Sequence, residues 1–202
     1  MDEALFAQGV YVGATFADLE AEETTFEGIE FEDCHFRRCR FPSSTFRSCA
    51  FVNCVFEGCD LSLLKVPASR FTSAQFTDCK LIGVDWAEAS SLTALTTSMS
   101  FLRCVLSYGF FVKLDLTGAQ FEDCAARETD FTAATLQRAS FVKSDLEGAK
   151  FLETDLREAD FTGATGYVID PTRNKVKKAR FALPEVIGLL KAFGVVVKLP
   201  GE

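Results

Sequence analysis

A five-residue period of phenylalanine constrains the fold of this 202-residue chain more than any other feature. All but two of the 21 phenylalanines occupy positions of the form 5n+1, and the exceptions are Phe110 and Phe193. The vacant 5n+1 positions mostly hold leucine or another bulky residue, and the 5n+4 positions hold small residues that include all eight cysteines. A helix has a period of 3.6 residues and a strand a period of 2, so neither produces this pattern.

The period predicts an all-β solenoid. Two of every five side chains, one large and one small, must point inward, and a chain that turns a corner every five residues achieves this with a square coil of about 20 residues. Coils joined by parallel β hydrogen bonds lie about 4.8 Å apart, so residues 1–166 should form about eight coils and a rod of roughly 35–40 Å. Residues one coil apart should then stack. We expect a ladder that reaches Phe76 to continue at Leu116, and one that reaches Phe71 to resume at Phe111.

The five-residue register never slips, which excludes any insertion whose length is not a multiple of five. It is weakest at residues 91–100, where serine and threonine occupy the large positions and Met99 occupies a small one. Two interpretations stay open for this stretch. It is either a distorted or bulging coil, or a regular coil with smaller side chains.

The eight cysteines and the single histidine do not form a catalytic or metal-binding pattern. The cysteines lie in the small inward register, where a thiol packs as a small apolar residue, and in-line side chains on adjacent coils fit the dihedral angle of a disulfide poorly. His35 takes an outward position, so no Cys–His or Ser–His pair can form in the core. The outward aspartates are expected to bond the corners locally. The sequence therefore predicts reduced thiols, no cofactor and no enzymatic activity.

The net charge of −8 is unevenly distributed along the chain. It is −8 over residues 1–60, +1 over 61–120, −6 over 121–170 and +5 over 171–202. One interpretation is that a rod with three of every five side chains in water needs charges for solubility. The other is an acidic cylinder that presents to a protein partner what DNA presents. Direct binding to nucleic acid is disfavoured, because phosphate contacts need a basic surface.

Residues 167–202 depart from the period and form a second unit. Phe181 is still in phase, which predicts one last, irregular coil. An apolar stripe then indicates a helix over 184–193, which Gly194 ends, and the three valines that follow indicate a strand. Gly188 within the helix suggests close backbone contact. The helix either caps the open end of the solenoid or pairs with a symmetry mate in a dimer.

The repeating units, such as GCDLS, KSDLE and EADFT, follow the A-(D/N)-L-x-x pattern of the pentapeptide-repeat family, which the chain resembles over about residues 11–166. This resemblance implies a right-handed quadrilateral β-helix. The C-terminal unit and the phrase CDLSLLKVPASRFTSAQFTDCKLIGVDW at 59–86 are similar to the quinolone-resistance (Qnr-type) and mycobacterial fluoroquinolone-resistance group. The resemblance implies a dimer that is like B-DNA in size and charge and that binds DNA gyrase or topoisomerase IV.

Two sets of site residues follow from this resemblance. A homodimer joined through its C-termini would use the apolar residues of the final helix and strand, namely Val186, Gly188, Leu189, Leu190, Phe193, Val195, Val196 and Val197. Some members of the group carry loop insertions that matter for protection. The corresponding candidate partner-contact region here is Leu92, Thr93, Leu95, Thr97 and Met99.

The sequence thus leads to two hypotheses. The first is a non-enzymatic DNA mimic, located in the cytoplasm, that binds a type II topoisomerase and modulates its inhibition by quinolones or peptide toxins. The alternative is a pentapeptide-repeat scaffold that uses one face of the rod for an unrelated protein partner. No run of 18 or more apolar residues occurs and the N-terminus is acidic, so neither a membrane span nor a secretory signal is expected.

Overall fold

The structure is a computed structural model that describes residues 6, 9–89 and 99–197. The chain is a parallel β-solenoid of about eight coils, which confirms the predicted fold. Its strands, in chain order, are β1 (Val10–Val12), β2 (Thr15–Ala17), β3 (Thr25–Glu27), β4 (Glu30–Glu32), β5 (His35–Arg37), β6 (Thr45–Arg47), β7 (Ala50–Val52), β8 (Val55–Glu57), β9 (Arg70–Thr72), β10 (Gln75–Thr77), β11 (Ser100–Leu102), β12 (Gln120–Glu122), β13 (Lys150–Phe151), β14 (Asp160–Phe161), β15 (Val168–Ile169) and β16 (Arg180–Phe181). The described residues also include 3-10 helices at Trp86–Glu88 and Glu185–Phe193.

The core consists of stacked rings, as the phenylalanine period predicts. Strands on successive coils pair in parallel, so that Phe36 lies over Phe56 with ring centroids 4.7 Å apart and planes 6° apart. Rings on neighbouring sides of one coil meet edge to face, as Phe31 and Phe36 do at 5.2 Å and 74°. Both arrangements are favourable for aromatic quadrupoles. The interior is therefore filled along its whole described length.

Aspartates bond the corners of the coils, which confirms their expected local role. Oδ1 of Asp115 accepts a hydrogen bond from the backbone N–H of Thr117 at 3.0 Å, and Oδ1 of Asp160 does the same with Thr162 at 2.9 Å. The residue that follows each such bond adopts a left-handed conformation, for which Gly118 (φ 73°) and Gly163 (φ 72°) are suited because they lack a Cβ. The turn chemistry thus repeats with the five-residue period.

One coil is longer than the others and corrects the predicted ladders. Gln75 pairs with Val55 on the coil before it, but on the coil after it Gln75 pairs with Ser100 and so skips one additional pentapeptide. Phe76 therefore stacks on Phe101, at 5.1 Å and 9°, and does not continue to Leu116. The additional pentapeptide keeps the register intact while it shifts every ladder by one side of the square. The longer coil includes the stretch 91–100, but residues 90–98 lie outside the described residues, so the choice between a bulging coil and a regular coil with smaller side chains is not tested.

The longer coil also changes the ladder that was expected to resume at Phe111. This ring lies over Trp86, with centroids 6.0 Å apart and planes 19° apart. Phe71 instead meets Trp86 edge to face at 5.2 Å. The expected continuation from Phe71 to Phe111 is wrong for the same reason, an insertion of one pentapeptide.

All eight cysteines are free and buried. Each of these thiols also donates hydrogen bonds to the backbone, a role that their interpretation as apolar residues omitted. Sγ of Cys54 lies 3.4 Å from the carbonyl oxygen of Phe31, one coil below. Ser69 places its hydroxyl in the equivalent position, 2.8 Å from the carbonyl oxygen of Phe46. The small register therefore accepts a small donor as well as alanine.

The two ends of the solenoid are closed differently. At the N-terminal end Phe6 is buried and its ring meets six others, including Phe26 at 5.1 Å. At the C-terminal end the expected irregular coil is present. The pairing of Lys150 with Val168 spans a coil slightly shorter than the regular one, whereas Asp160 pairs with Arg180 at the regular spacing. The C-terminal 3-10 helix packs against β15.

Candidate interaction surfaces

Carboxylates without partners concentrate in the first coils. Glu27, Glu30 and Glu32 are exposed, and their side chains have no hydrogen-bond or ion-pair partner within the described part of the chain. Asp18 differs, because Arg38 on the next coil binds both of its oxygens at 2.7 Å. These hydrogen bonds hold the pKa of Asp18 below its ordinary value. Most of the N-terminal acidic charge is thus free to face a partner.

The second acidic stretch is more heavily paired, in part by the basic run that follows it. Lys175 lies 3.8 Å from a carboxylate oxygen of Asp155, and Arg180 lies 3.1 Å from one of Asp160. Arg157 binds Asp155 as well, and its hydrogen bonds hold the pKa of that carboxyl below the ordinary value. The basic run near the C-terminus therefore sits directly over acidic side chains, and a large part of its charge is neutralised within the chain.

An apolar patch covers the C-terminal end. The exposed fraction of the residue is 40% for Leu190, 58% for Phe193 and 86% for Val196. Leu189 is the predicted interface residue that packs against the core. The remaining predicted interface residues, Val186, Gly188, Val195 and Val197, are partly or fully exposed. Large exposed apolar patches are typical of interaction sites.

Three expectations for this C-terminal segment are corrected. The helix is a 3-10 helix, in which the N–H of Ile187 bonds the carbonyl of Pro184 at 3.1 Å. No strand forms at Val195–Val197, because a strand needs a pairing partner and the described residues of one chain provide none there. A Cβ added to Gly188 would meet nothing within 4 Å, so no close backbone contact within one chain explains this glycine.

Gly194 ends the helix as predicted. Its φ of 68° lies in the left-handed region, and the N–H of Val195 bonds the carbonyl of Leu190 at 3.3 Å. This is the six-to-one bond of a Schellman motif. The backbone after Gly194 therefore leaves the helix and carries the valines to the surface.

The predicted partner-contact region is mostly outside the described residues. Leu92, Thr93, Leu95 and Thr97 all fall within residues 90–98. Met99 is only 6% exposed and belongs to the core. The prediction that Met99 contacts a partner is wrong, because its position in the small register turns the side chain inward.

An open groove lies on the outside of the rod. Its volume is about 710 Å³, and it is lined by Glu23, Thr25, Ser43, Thr45, Leu63, Leu64, Lys65, Gly83, Asp85 and Glu88. One carboxylate there is already engaged, since Oδ1 of Asp85 accepts the N–H of Ala87 at 2.9 Å. Across the parts of the chain that the structure describes, no group of three or more metal-ligating side chains is found and no helix is long and apolar enough to cross a membrane.

Next to this groove lies a surface that the sequence interpretation missed. The exposed fraction is 55% for Leu63, 60% for Tyr108 and 44% for Phe110. Phe110 and Phe193 are the two phenylalanines outside the 5n+1 register, and they are also the two phenylalanines among the exposed large apolar residues. The signal was therefore present in the sequence as a departure from the period.

Comparisons with known proteins agree with this architecture. The family model of a pentapeptide repeat region matches residues 29–111, and the model of pentapeptide repeats in eight copies matches 115–151 and 139–165. Together these matches span more than half of the chain, which therefore belongs to the pentapeptide-repeat family. No curated protein sequence matches the chain significantly.

Solved structures with the same fold include two trypsin-treated variants of QnrB1, a plasmid-mediated fluoroquinolone resistance protein. One is 21% identical, with 95% of this chain and 100% of that chain covered and a TM-score of 0.53. The other is 19% identical, with 94% and 100% covered and a TM-score of 0.55. At these identities the similarity establishes a shared fold.

Proposed function

We propose that this protein is a non-enzymatic DNA mimic that binds a type II topoisomerase, DNA gyrase or topoisomerase IV, and modulates its inhibition by quinolones or peptide toxins. The observation that carries the proposal is the density of negative charge along the rod. Residues 9–60 hold ten acidic and four basic side chains, a net charge of −6. Residues 121–170 hold eleven and five, also −6.

The charge density of these two acidic blocks, counted from the sequence, is close to that of DNA, and in the second block the basic run at 173–180 neutralises part of this charge. Each block spans about two and a half coils, or roughly 12 Å of axis at about 4.8 Å per coil. This gives about one negative charge per 2 Å, compared with one per about 1.7 Å for B-DNA. A surface on a topoisomerase that binds duplex DNA would therefore meet a similar field here. The neutral segment 61–120 separates the two blocks.

A dimer joined through the C-terminal patch would extend this rod. The exposed Leu190, Phe193 and Val196 supply an apolar surface that a symmetry mate can cover. Two chains end to end would roughly double the length and carry four acidic blocks. QnrB1 supports the assignment, since it shares the fold and is a fluoroquinolone resistance protein.

A supercoiling assay with purified DNA gyrase and ciprofloxacin tests the proposal. We expect micromolar protein to change either supercoiling or the ciprofloxacin concentration that halves it. A Glu27→Gln, Glu30→Gln, Glu32→Gln variant should lose much of this effect, because it removes three unpaired carboxylates without breaking a described contact.

The matched control is a variant with Arg70→Gln, Lys80→Gln and Lys113→Gln, which removes three exposed positive charges from the neutral segment. We expect it to keep the full effect. If neither supercoiling nor inhibition by ciprofloxacin responds to the unmodified protein, the proposal is wrong.

The alternative, a scaffold for an unrelated protein, is favoured by one observation. The apolar surface at Leu63, Tyr108 and Phe110 lies on the neutral segment and not on either acidic block. Affinity capture from a lysate from which gyrase and topoisomerase IV have been removed distinguishes the two. Recovery of a single different partner, with no gyrase response in the supercoiling assay, would favour the scaffold.

A further inference from the structure

Phe110 points outward from the rod. Phe110 pairs with Asp85 on one side and with Asp130 on the other, so it occupies the middle of one face of the rod. Corresponding outward positions on this face hold the polar residues Thr45 and Lys65. A phenylalanine exposed to 44% in this setting is not needed by the core, which already contains Phe111 as the inward residue.

Tyr108 lies at the adjoining corner, two residues before Phe110. It adopts a left-handed conformation with φ of 61°, which an aromatic residue rarely takes. Gly109 lies between them and is buried, and a Cβ there would come within 2.9 Å of the carbonyl oxygen of Leu106. The chain is thus held tightly against the core at Gly109 while the residues on either side are exposed.

Leu63 extends this exposed surface along the same corner. Gly83 separates Leu63 from Tyr108, one coil from each, as shown by the backbone bonds from Leu63 to Ile82 and from Gly83 to Ser107. The Leu63 side chain lies over Gly83, since a Cβ added there would come within 2.8 Å of Leu63 Cδ2. We call Leu63, Tyr108 and Phe110 the aromatic patch.

The side chains next to Phe110 along this face are acidic, and two exposed lysines lie near them. Asp85 and Asp130 are the direct neighbours of Phe110 in the β ladder, and the exposed Glu88 follows Asp85 by three residues. The exposed Lys65 lies on the same face, and the exposed Lys113 follows Phe110 by three residues. Lys150 pairs with Asp130 at 3.7 Å. Arg127 is also near, but its guanidinium is occupied by Asp145 and Glu147 at 2.6 and 3.0 Å. Beyond these side chains, the acidic blocks lie on either side of the neutral segment.

From this geometry we propose that the aromatic patch is the docking surface for a basic segment of a protein partner. An arginine or lysine of the partner would lay its stem and charge against the rings of Tyr108 and Phe110, with Asp85 and Glu88 beside them. Exposed aromatic residues ringed by polar groups form the centres of protein interfaces. The inference rests on the proposed function only in that the partner is a protein.

The test uses assembled DNA gyrase as the probe, with binding measured by biolayer interferometry on the full-length protein. The Tyr108→Ser, Phe110→Ser variant should bind at least tenfold more weakly than the unmodified protein. A Val168→Ser variant, which removes a side chain exposed to 71% farther along the rod, should bind normally. If gyrase binds the protein and the double variant binds equally well, the inference is wrong while the proposed function stands.

A separate variant tests whether acidic side chains beside the aromatic patch attract the partner. Glu88→Gln should weaken gyrase binding and reduce its dependence on salt, and an unchanged affinity and salt slope would contradict a basic partner segment. Urea unfolding midpoints of all variants should equal that of the unmodified protein, because the substituted side chains are exposed.

If gyrase does not bind the unmodified protein, the proposed function fails and a peptide of alternating arginine and leucine becomes the probe. We expect backbone NMR shifts at 108–110 that saturate and that disappear in the double variant. Shifts confined to the acidic blocks, or none at all, would overturn the inference. A change in oligomer mass of the double variant by light scattering would also overturn it, since a second copy would then occupy the patch.

Discussion

At the scale of single residues, the small inward register performs two tasks. Its small side chains leave room for the large ring on the same side of the coil. Where these side chains carry a donor group, they donate a hydrogen bond to a backbone carbonyl one coil below. Ser144 Oγ reaches Phe121 O at 2.7 Å, Thr154 Oγ1 reaches Phe131 O at 3.0 Å, and the Asn174 amide reaches Phe151 O at 3.0 Å. Sequence reasoning found the register from size alone. It could not find the second task, because the acceptor lies on another coil, far away in the sequence, and no local pattern marks it.

This equivalence predicts how a buried cysteine responds to substitution. Cys54→Ser should change the free energy of unfolding by less than about 1 kcal/mol, because the hydroxyl can donate to Phe31 O as the thiol does. Cys54→Leu should destabilise by about 1–3 kcal/mol through overpacking. Urea unfolding of both variants checks this. Equal stability of the two variants would mean that this position of the small inward register does not require a small side chain.

The burial of Cys54 also predicts that its thiol reacts slowly. Burial raises the pKa of Cys54 to about 12, so almost none of this thiol is ionised at pH 8. In the folded protein we expect labelling of the eight cysteines by a disulfide reagent to follow unfolding, and to become rapid in urea. Fast labelling of the native protein at several cysteines would contradict the packing described.

The paired carboxylate of Asp155 predicts that the free energy of unfolding depends on pH. Its pKa is lowered by hydrogen bonds from Arg157, and its side chain is almost fully buried. A lowered pKa in the folded state stabilises the protein above the unfolded value of about 3.9, and this stabilisation is lost as pH falls through the folded pKa. Asp155→Asn should therefore cost about 1–2 kcal/mol at pH 7. The difference from the unmodified protein, measured by urea unfolding, should shrink as the pH falls below about 4.

The control for this prediction is Asp123→Asn, at an exposed carboxylate with no described hydrogen-bond or ion-pair partner. We expect its unfolding midpoint at pH 7 to equal that of the unmodified protein. A constant deficit of Asp155→Asn from pH 7 to pH 2 would indicate that the side chain acts through packing and not through its charge.

At the scale of elements, the longer coil shows where sequence reasoning stops. The register predicted the inward and outward residues of nearly every coil, including Phe101 and Phe121. An insertion of one pentapeptide leaves that register unchanged, so the sequence could not place Phe76 next to Phe101. The weak stretch at 91–100 was the visible sign. Only the pairing of β10 with β11 shows that one coil contains the additional pentapeptide.

The C-terminal segment illustrates the opposite case. A stripe of Leu190 and Phe193 predicts a helix with a buried face, yet these residues are exposed in a single chain. The valines that follow read as a strand and have no pairing partner among the described residues. Both discrepancies have the same physical cause if the covering surface belongs to a second copy, as we propose for the dimer.

Leu190→Asp tests the proposed dimer. We expect the mass in solution by light scattering to fall from two chains to one, because a buried carboxylate at an apolar interface costs several kcal/mol. The fold should remain, since Leu190 is 40% exposed in one chain. Val12→Asp at the other end, where Val12 is 63% exposed, is the matched control and should stay dimeric. An unchanged mass for Leu190→Asp would refute this interface.

At the scale of the whole molecule, the arrangement of charge decides between solubility and mimicry. A surface that is acidic only for solubility has no reason to approach the linear density of DNA in two separate blocks. The neutral segment between them carries the aromatic patch, which has no counterpart on DNA and would give the rod a preference for one partner. The sequence showed the charge blocks, and the structure showed that the side chains of Glu27, Glu30 and Glu32 within the first block are unpaired among the described residues.

Competition between this protein and DNA for gyrase tests the proposed mimicry of DNA. Fluorescently labelled protein is bound to assembled gyrase, and a linear DNA duplex is added while anisotropy is followed. We expect DNA to displace the protein completely and the affinity of the protein to fall steeply as salt rises. Binding that persists in saturating DNA, with both ligands on the enzyme at once, would contradict mimicry of DNA.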